Sequence, residues 1–439
     1  MKRFHVILLA LIVLAYLIIA SLYAVKTPAW EVPDEPAHYN YVRQVVTNGC
    51  CPVIAPGDWN NDYLNTIKAD KFSDASLNGQ LDTIQYEDHQ PPLYYLLEAP
   101  VYAATNGSLI AMRLLSVLFG AGIIVVAWAT VITIFPAQPW LALASAAFVA
   151  FLPQHIAMMA GVENDSLGEL IVAVTLLLCT LYLAKTSRRI HPVWFGVLLG
   201  LACLTKVTAM APVGIVVVLT LLIRARRDSW TISQLVRQIA WIAVPALLMA
   251  IPFWLRNLEV YGGLDFLAQA AHDRVVVGQL RTSDYIQQVG LSAWLGDAIH
   301  TSFDSFWGQF GWMGVPMTNP IYLALLALIS ISVVGAVIAV VRWRRVLTAF
   351  QRDALLLLGV TALLALAGLV YWNLKYVQFQ GRYLYPGLIP IALFIAVGLA
   401  GWASLFRVRY IQWMSVVVMC LLALLDVYAL FRIIIPALS

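Results

Sequence analysis

Thirteen residues, Glu31-Val32-Pro33-Asp34-Glu35-Pro36-Ala37-His38-Tyr39-Asn40-Tyr41-Val42-Arg43, carry three carboxylates, a histidine and an arginine. They follow directly on the first long apolar run of a 439-residue chain that is only 11% charged. Prolines in the first turn and Gly49 beyond predict a helix opening near Asp34. On it, Asp34 shares a face with His38 and Glu35 with Tyr39, with Arg43 a turn further on. A carboxylate at a helix N-terminus is favoured in its ionised form, so Asp34 is a candidate base. Its bland alternative is a helix cap, with Glu35 an ordinary first-turn acid.

Four isolated bases, Lys206, Arg256, Lys375 and Arg382, each sit beside the end of an apolar run. Together they predict an anionic ligand at headgroup depth, such as a lipid phosphate; singly, each could snorkel to the interface. Other polar residues read more plainly. Glu163-Asn164-Asp165 precedes an apolar run and reads as a helix cap. His89 beside Asp88 could ligate a metal or be a surface pair, His155 reads as a bonded core histidine, and Asp297 and Asp304 read as solvated. Asp426, inside an apolar run, has no evident role. There is no phosphate-binding glycine loop, GxSxG or HExxH. Cys50 and Cys51 are adjacent, which disfavours pairing with each other, and no cysteine spacing suits a metal.

The scaffold is a membrane one. Soluble domains run at about a quarter charged residues, whereas this chain is 62% hydrophobic. Apolar runs near 4–25, 108–135, 139–160, 166–184, 192–204, 208–223, 238–255, 320–341, 354–371, 383–404 and 410–434 predict an all-α polytopic protein of about eleven spans. The first is long enough to be retained as a span rather than removed as a signal peptide. With the N-terminus inside, every second loop is basic, carrying Lys2, Arg3, Lys185, Arg188, Arg189, Arg224, Arg226, Arg227, Arg237, Arg342, Arg344, Arg345, Arg352, Arg407 and Arg409. The opposite, extracytoplasmic face receives the long segments 26–107 and 257–319 and the short connections 161–165, 205–207 and 372–382. In 26–107, short interfacial helices are expected after Pro33 and at Pro91-Pro92, with 50–80 irregular. The whole chain, 1–439, reads as one transmembrane domain.

The order of these features resembles the GT-C superfamily of integral membrane glycosyltransferases. The match is to the branch of protein O-mannosyltransferases, lipid A aminoarabinose transferases and related bacterial proteins. It rests on Pro33-Asp34-Glu35-Pro36-Ala37-His38, His89-Gln90-Pro91-Pro92-Leu93-Tyr94-Tyr95, Asn164-Asp165 and Leu204-Thr205-Lys206. It continues through Trp254-Leu255-Arg256-Asn257 with Tyr261-Gly262, and Gln380-Gly381-Arg382-Tyr383-Leu384-Tyr385-Pro386.

The resemblance implies inverting transfer of a sugar from a polyprenyl-phosphate donor on the outer face of a bacterial plasma membrane. Asp34 then matches the catalytic acid, with Glu35 its neighbour. His38, Arg43, His89, Gln90, Lys206, Arg256, Lys375, Arg382 and Tyr383 form the substrate-binding set. A divalent metal stays open because relatives differ, and the acceptor, whether glycan, lipid or protein, is not implied; nucleic acid finds no support. A transporter or flippase of a lipid-linked saccharide would need the same cations without the base, but its site would sit near the bilayer midplane between repeats. A non-catalytic partner on the same scaffold is the third possibility.

Overall fold

A computed structural model describes residues 2–184, 190–406 and 411–439. The expected basic residues Lys185, Arg188, Arg189, Arg407 and Arg409 lie outside the described residues. In chain order the helices are α1 Lys2–Lys26, α2 Glu35–Asn48, α3 Asn61–Ala69, α4 Asp74–Leu77, α5 Leu93–Ala104, α6 Leu109–Ile134, α7 Pro139–Ala150 and α8 Pro153–Met159. There follow α9 Asp165–Leu183, α10 Val193–Cys203, α11 Val207–Arg227, α12 Ile232–Tyr261, α13 Gln269–Val275, α14 Thr282–Val289 and α15 Leu291–Trp307. The chain closes with α16 Asn319–Trp343, α17 Ala349–Lys375, α18 Leu388–Phe406, α19 Ile411–Tyr428 and α20 Ile435–Leu438. Among the described residues the only strands are the pair β1 Gln309–Phe310 and β2 Val315–Pro316.

Among the described residues each of the eleven expected apolar runs falls mainly on helix, and nine helices are long and apolar enough to cross a membrane. The chain is an integral membrane protein. α7 and α8 pass the same test only as a pair, bent by 62° at the break between them. Pro153 lacks the N–H that a continuous helix would use and holds Leu152 extended, at φ −94° and ψ 112°. The expected run 192–204 forms only a shorter apolar helix, α10, of 11 residues, about 16 Å long. It is short because its apolar run starts only after Pro192, and it leans on α12: a Cβ on Gly196 would strike the carbonyl of Ile242, and one on Gly200 would strike Met249.

The ends of the bundle differ. One collects the segments 27–108, 160–164, 204–206, 262–318 and 376–380, and there Lys71 donates to the backbone carbonyl of the last residue, Ser439. At the other end, the helix termini are tied by Arg227 with Asp353 and by the Gln351 amide on the Ile134 carbonyl.

The polar end is more ordered than composition suggests. Segment 50–80 holds two helices rather than irregular chain. Asn60 caps α3 through the Tyr63 amide and Ser73 caps α4 through the Ser76 amide. Leu64 and Ile67 then pack with Ile54, Phe72, Ile84, Tyr86, Ala271 and Val276 in a small apolar core separate from the membrane bundle. That core joins both long extramembrane segments over a single polar recess.

Candidate active site

Asp34 lies at that recess. It precedes α2 in a left-handed conformation, φ 66° and ψ −7°, and its side chain caps nothing. Aspartate tolerates this region better than most residues, and a held strained position of this kind turns a side chain away from its helix. The Asp34 carboxylate accepts from the Tyr86 hydroxyl at 2.9 Å and from Arg382 Nη2 at 2.7 Å.

Arg382 is held on all edges. Its Nε donates to Gln380 Oε1 at 2.6 Å and its Nη1 to Glu163 Oε2 at 3.1 Å. Glu163 in turn faces Lys206 at 3.5 Å, and Lys206 reaches Asp165 at 2.6 Å. The result is a cluster of three carboxylates and two cations drawn from four separate segments. Burial alone would raise the Asp34 carboxyl, but the charge and hydrogen bonds of Arg382 outweigh it and hold it below its ordinary value. Burial likewise opposes the Lys206 charge, yet Asp165 and Glu163 keep its pKa above the ordinary lysine value. Glu163 is pushed well upward by burial despite Arg382 and Lys206. Three acids face two bases here.

These groups line a cavity of about 230 Å³. Asp34, His38, His89, Gln90, Lys206, Arg382 and Tyr383 all reach it, with Trp59, Trp312 and Trp372 among the aromatic walls. Burial and the adjacent His272 lower the His89 pKa to about 3, so that imidazole is neutral. Asp88 beside it is no surface residue. It is buried, takes the Gln44 amide at 2.7 Å, and burial pushes its pKa up to about 8.

Several expected site residues are elsewhere. Glu35 turns from the cavity into a buried pair with Arg113, Oε2 to Nη2 at 2.6 Å and Oε1 to Nε at 2.7 Å. It also accepts from the backbone amides of Trp30 and Val162. Its carboxylate thus pins the turn before α2, because α2 places residue 35 on the face toward α6. Arg256 holds the carbonyls of Cys51 and Pro52, both at 2.6 Å, and Cys50 is disulfide-bonded to Cys51, contrary to expectation. Lys375 pairs with Asp273 at 2.9 Å at the surface, and Arg43 faces Asp82 at 3.8 Å. Neither lines the cavity. Of the other polar residues, Asp304 is buried rather than solvated and Asp297 accepts from Tyr285. His155 bonds Glu169 at 3.0 Å inside the bundle, as expected. Asp426 is buried and still without a role.

Glu163, Asp165 and Tyr86 were not singled out for chemistry in the sequence. Asn164 or Asp165 read there as a helix cap, yet Asn164 at the helix start makes no capping bond. The signal that could have found them was Lys206, a base beside a span that needed a counter-charge. Among the described residues no group of three or more histidine, cysteine, aspartate or glutamate side chains is placed to hold a metal. The carboxylates of the cluster face Arg382 and Lys206 instead.

Residues 56–261 match the family model for dolichyl-phosphate-mannose-protein mannosyltransferase. That is just under half of the chain, and it holds Glu163, Asp165 and Lys206 but neither Asp34 nor Arg382. No curated protein matches the chain in sequence. Among solved structures, ArnT from Cupriavidus metallidurans in the apo state is similar with a TM-score of 0.52 and 16% identity, over 98% of this chain and 73% of that one. The archaeal oligosaccharyltransferase AglB from Archaeoglobus fulgidus, in complex with an inhibitory peptide and a dolichol-phosphate, matches at 0.53 and 13%. The likeness covers 100% of this chain and 56% of AglB. The chain thus shares its fold with ArnT and AglB, and its middle part resembles the mannosyltransferase family model.

Proposed function

We propose that the protein transfers a sugar from a polyprenyl-phosphate donor to an acceptor on the extracytoplasmic face, with inversion, and that Asp34 is the general base. One observation carries this reading: an ionised carboxylate lies in the wall of a membrane-edge cavity beside Lys206 and Arg382. The likeness to a structure that holds dolichol-phosphate supports a lipid-linked donor.

In the reaction the acceptor's nucleophile attacks the anomeric carbon from the face opposite the phosphate, and its proton passes to an Asp34 oxygen. The bond from carbon to phosphate oxygen breaks with its electron pair, releasing the polyprenyl phosphate. General-base catalysis contributes on the order of 10²–10⁴ in rate. Lys206 and Arg382 stabilise the charge that the leaving phosphate gains. Arg256, tied to a loop backbone, is no part of this clamp, and Glu35 supports the turn that carries Asp34. The polar groups gather at one end of the bundle, which favours an enzyme over a transporter with a midplane site.

The test is mass spectrometry of the polyprenyl-phosphate sugar pool in membranes holding the wild type or Asp34→Asn. A lipid-linked sugar should accumulate with the variant alone; equal pools would overturn the reading. Purified enzyme should also keep its turnover down to pH values below the ordinary carboxylate range, since Arg382 lowers the Asp34 pKa and so keeps the base ionised there. Activity is lost as pH falls through that lowered value.

A further inference from the structure

His38 is almost wholly buried, 1% exposed, and its ring lines the cavity. Its Nδ1 lies 2.8 Å from the Tyr95 hydroxyl, and Nε2 has no protein partner among the described residues. The protonation state of this ring can be read from the chain of bonds behind it. The backbone carbonyl of Thr205 can only accept, so the atom of Asn164 that faces it at 3.4 Å is the amide nitrogen. The same nitrogen is 3.3 Å from the Tyr95 oxygen, to which it can only donate. The single Tyr95 O–H then has one acceptor within reach, His38 Nδ1. A bare Nδ1 puts the ring proton on Nε2, the edge that faces the cavity. Burial disfavours the charged ring, which keeps His38 below the ordinary histidine pKa although Glu87 and Asp34 favour the cation; Lys206 opposes it.

Each member is rigidly placed. Tyr95 is fully buried and stacks on Tyr41 with ring centroids 3.6 Å apart and planes 12° from parallel. Its helix starts with the Leu93 amide on the Leu204 carbonyl at 2.8 Å, so α5 is anchored to the same turn that presents Thr205 and Lys206.

We propose that Asn164 and Tyr95 lock His38 as a neutral hydrogen-bond donor whose Nε2–H binds a phosphate oxygen of the lipid carrier, next to Lys206. This rests on the cavity being the seat of a lipid-linked phosphate. A neutral donor suits that position because the cluster already carries two cations; a third would hold the leaving phosphate too tightly to release it. Asn164 and Tyr95 are positioning residues, and His38 is the group that touches the ligand.

The experiment uses the full chain in nanodiscs, labelled with ¹⁵N at the histidine ring nitrogens, with His38→Gln assigning the His38 signals. The wild type should show a protonated Nε2 and a bare Nδ1, and adding undecaprenyl phosphate should shift the Nε2 signal. Tyr95→Phe should lose the single tautomer while keeping the fold. In membranes, His38→Gln, which keeps an N–H near the Nε2 position, should slow transfer less than His38→Phe. His38→Phe should slow it by on the order of tenfold or more, the loss of one hydrogen bond to a charged group. A proton on Nδ1 in the wild type, an Nε2 signal indifferent to undecaprenyl phosphate, or equal rates for His38→Gln and His38→Phe would each overturn the proposal. Those results, with Asp34→Asn still blocking transfer, would leave the transferase reading standing. A phosphate-dependent shift beside an active Asp34→Asn would instead remove that reading and keep the phosphate contact.

Discussion

Asp34 and Glu35 are neighbours in sequence with opposite fates. The backbone reverses hand at Asp34 and turns helical at Glu35, so one carboxylate enters the cavity and the other enters the protein. Glu35 and Arg113 are both sealed from solvent, and the guanidinium also donates to the carbonyls of Ala24, Thr27 and Pro28. A buried pair is no great source of net stability, but removing one member strands the other charge, at about 3–5 kcal/mol. Glu35→Gln should therefore lower the thermal unfolding midpoint sharply in detergent, whereas Asp34→Asn, which leaves Arg382 its Glu163 and Gln380 partners, should lower it far less. If Glu35→Gln unfolded like the wild type and lost only turnover, Glu35 would belong to the chemistry after all.

At the scale of elements, close backbone approach decides which helices can neighbour each other. α16 and α18 meet where Ser332 and Gly335 face Gly398 and Gly401, and a Cβ on Gly398 would strike the Ser332 carbonyl. Small residues at such crossings let helices pack where lipid supplies no hydrophobic driving force. Gly398→Val forces the pair apart, at about 1–3 kcal/mol for overpacking. Gly359→Val, on α17 with nothing within 4 Å of the added Cβ, should be nearly neutral. Melting curves of the two variants check this, and equal midpoints would show that the crossing tolerates separation. The crossing matters to the site because α18 follows directly on the 3₁₀ turn Gly381–Gly387, which carries Arg382.

At the scale of the molecule, the direction of the first helix sets the sidedness. α1, long and apolar enough to cross a membrane, runs toward the cavity end, where Arg113 holds the Ala24 and Thr27 carbonyls beside Glu35. With the N-terminus in the cytoplasm, as the basic loops predict, the cavity faces outward. Leu264→Cys lies in the second long segment at 89% exposure, and Val346→Cys at 74% between α16 and α17. A membrane-impermeant maleimide added to intact cells should label the first and spare the second until the cells are opened. The reverse pattern would put the cavity inside.

Sequence by itself determined the membrane class, the eleven apolar segments, the helix opening at Asp34 and the out-of-place charges of Lys206 and Arg382, because hydrophobic length, proline placement and misplaced charge are local signals. It could not separate Asp34 from Glu35, since a single backbone dihedral decided where each carboxylate points. It also could not tell which cations reach the cavity. Arg256 and Lys375 sit beside the ends of apolar runs like Lys206 and Arg382, yet the fold turned them to loop carbonyls and Asp273, away from it. Glu163, Asp165 and Tyr95 acquired their roles only through partners 40 to more than 200 residues away, as with Glu163 and Arg382. Electrostatic and hydrogen-bonded function at this site is a property of groups that meet only after the helices pack, and no residue type or spacing records that meeting in advance.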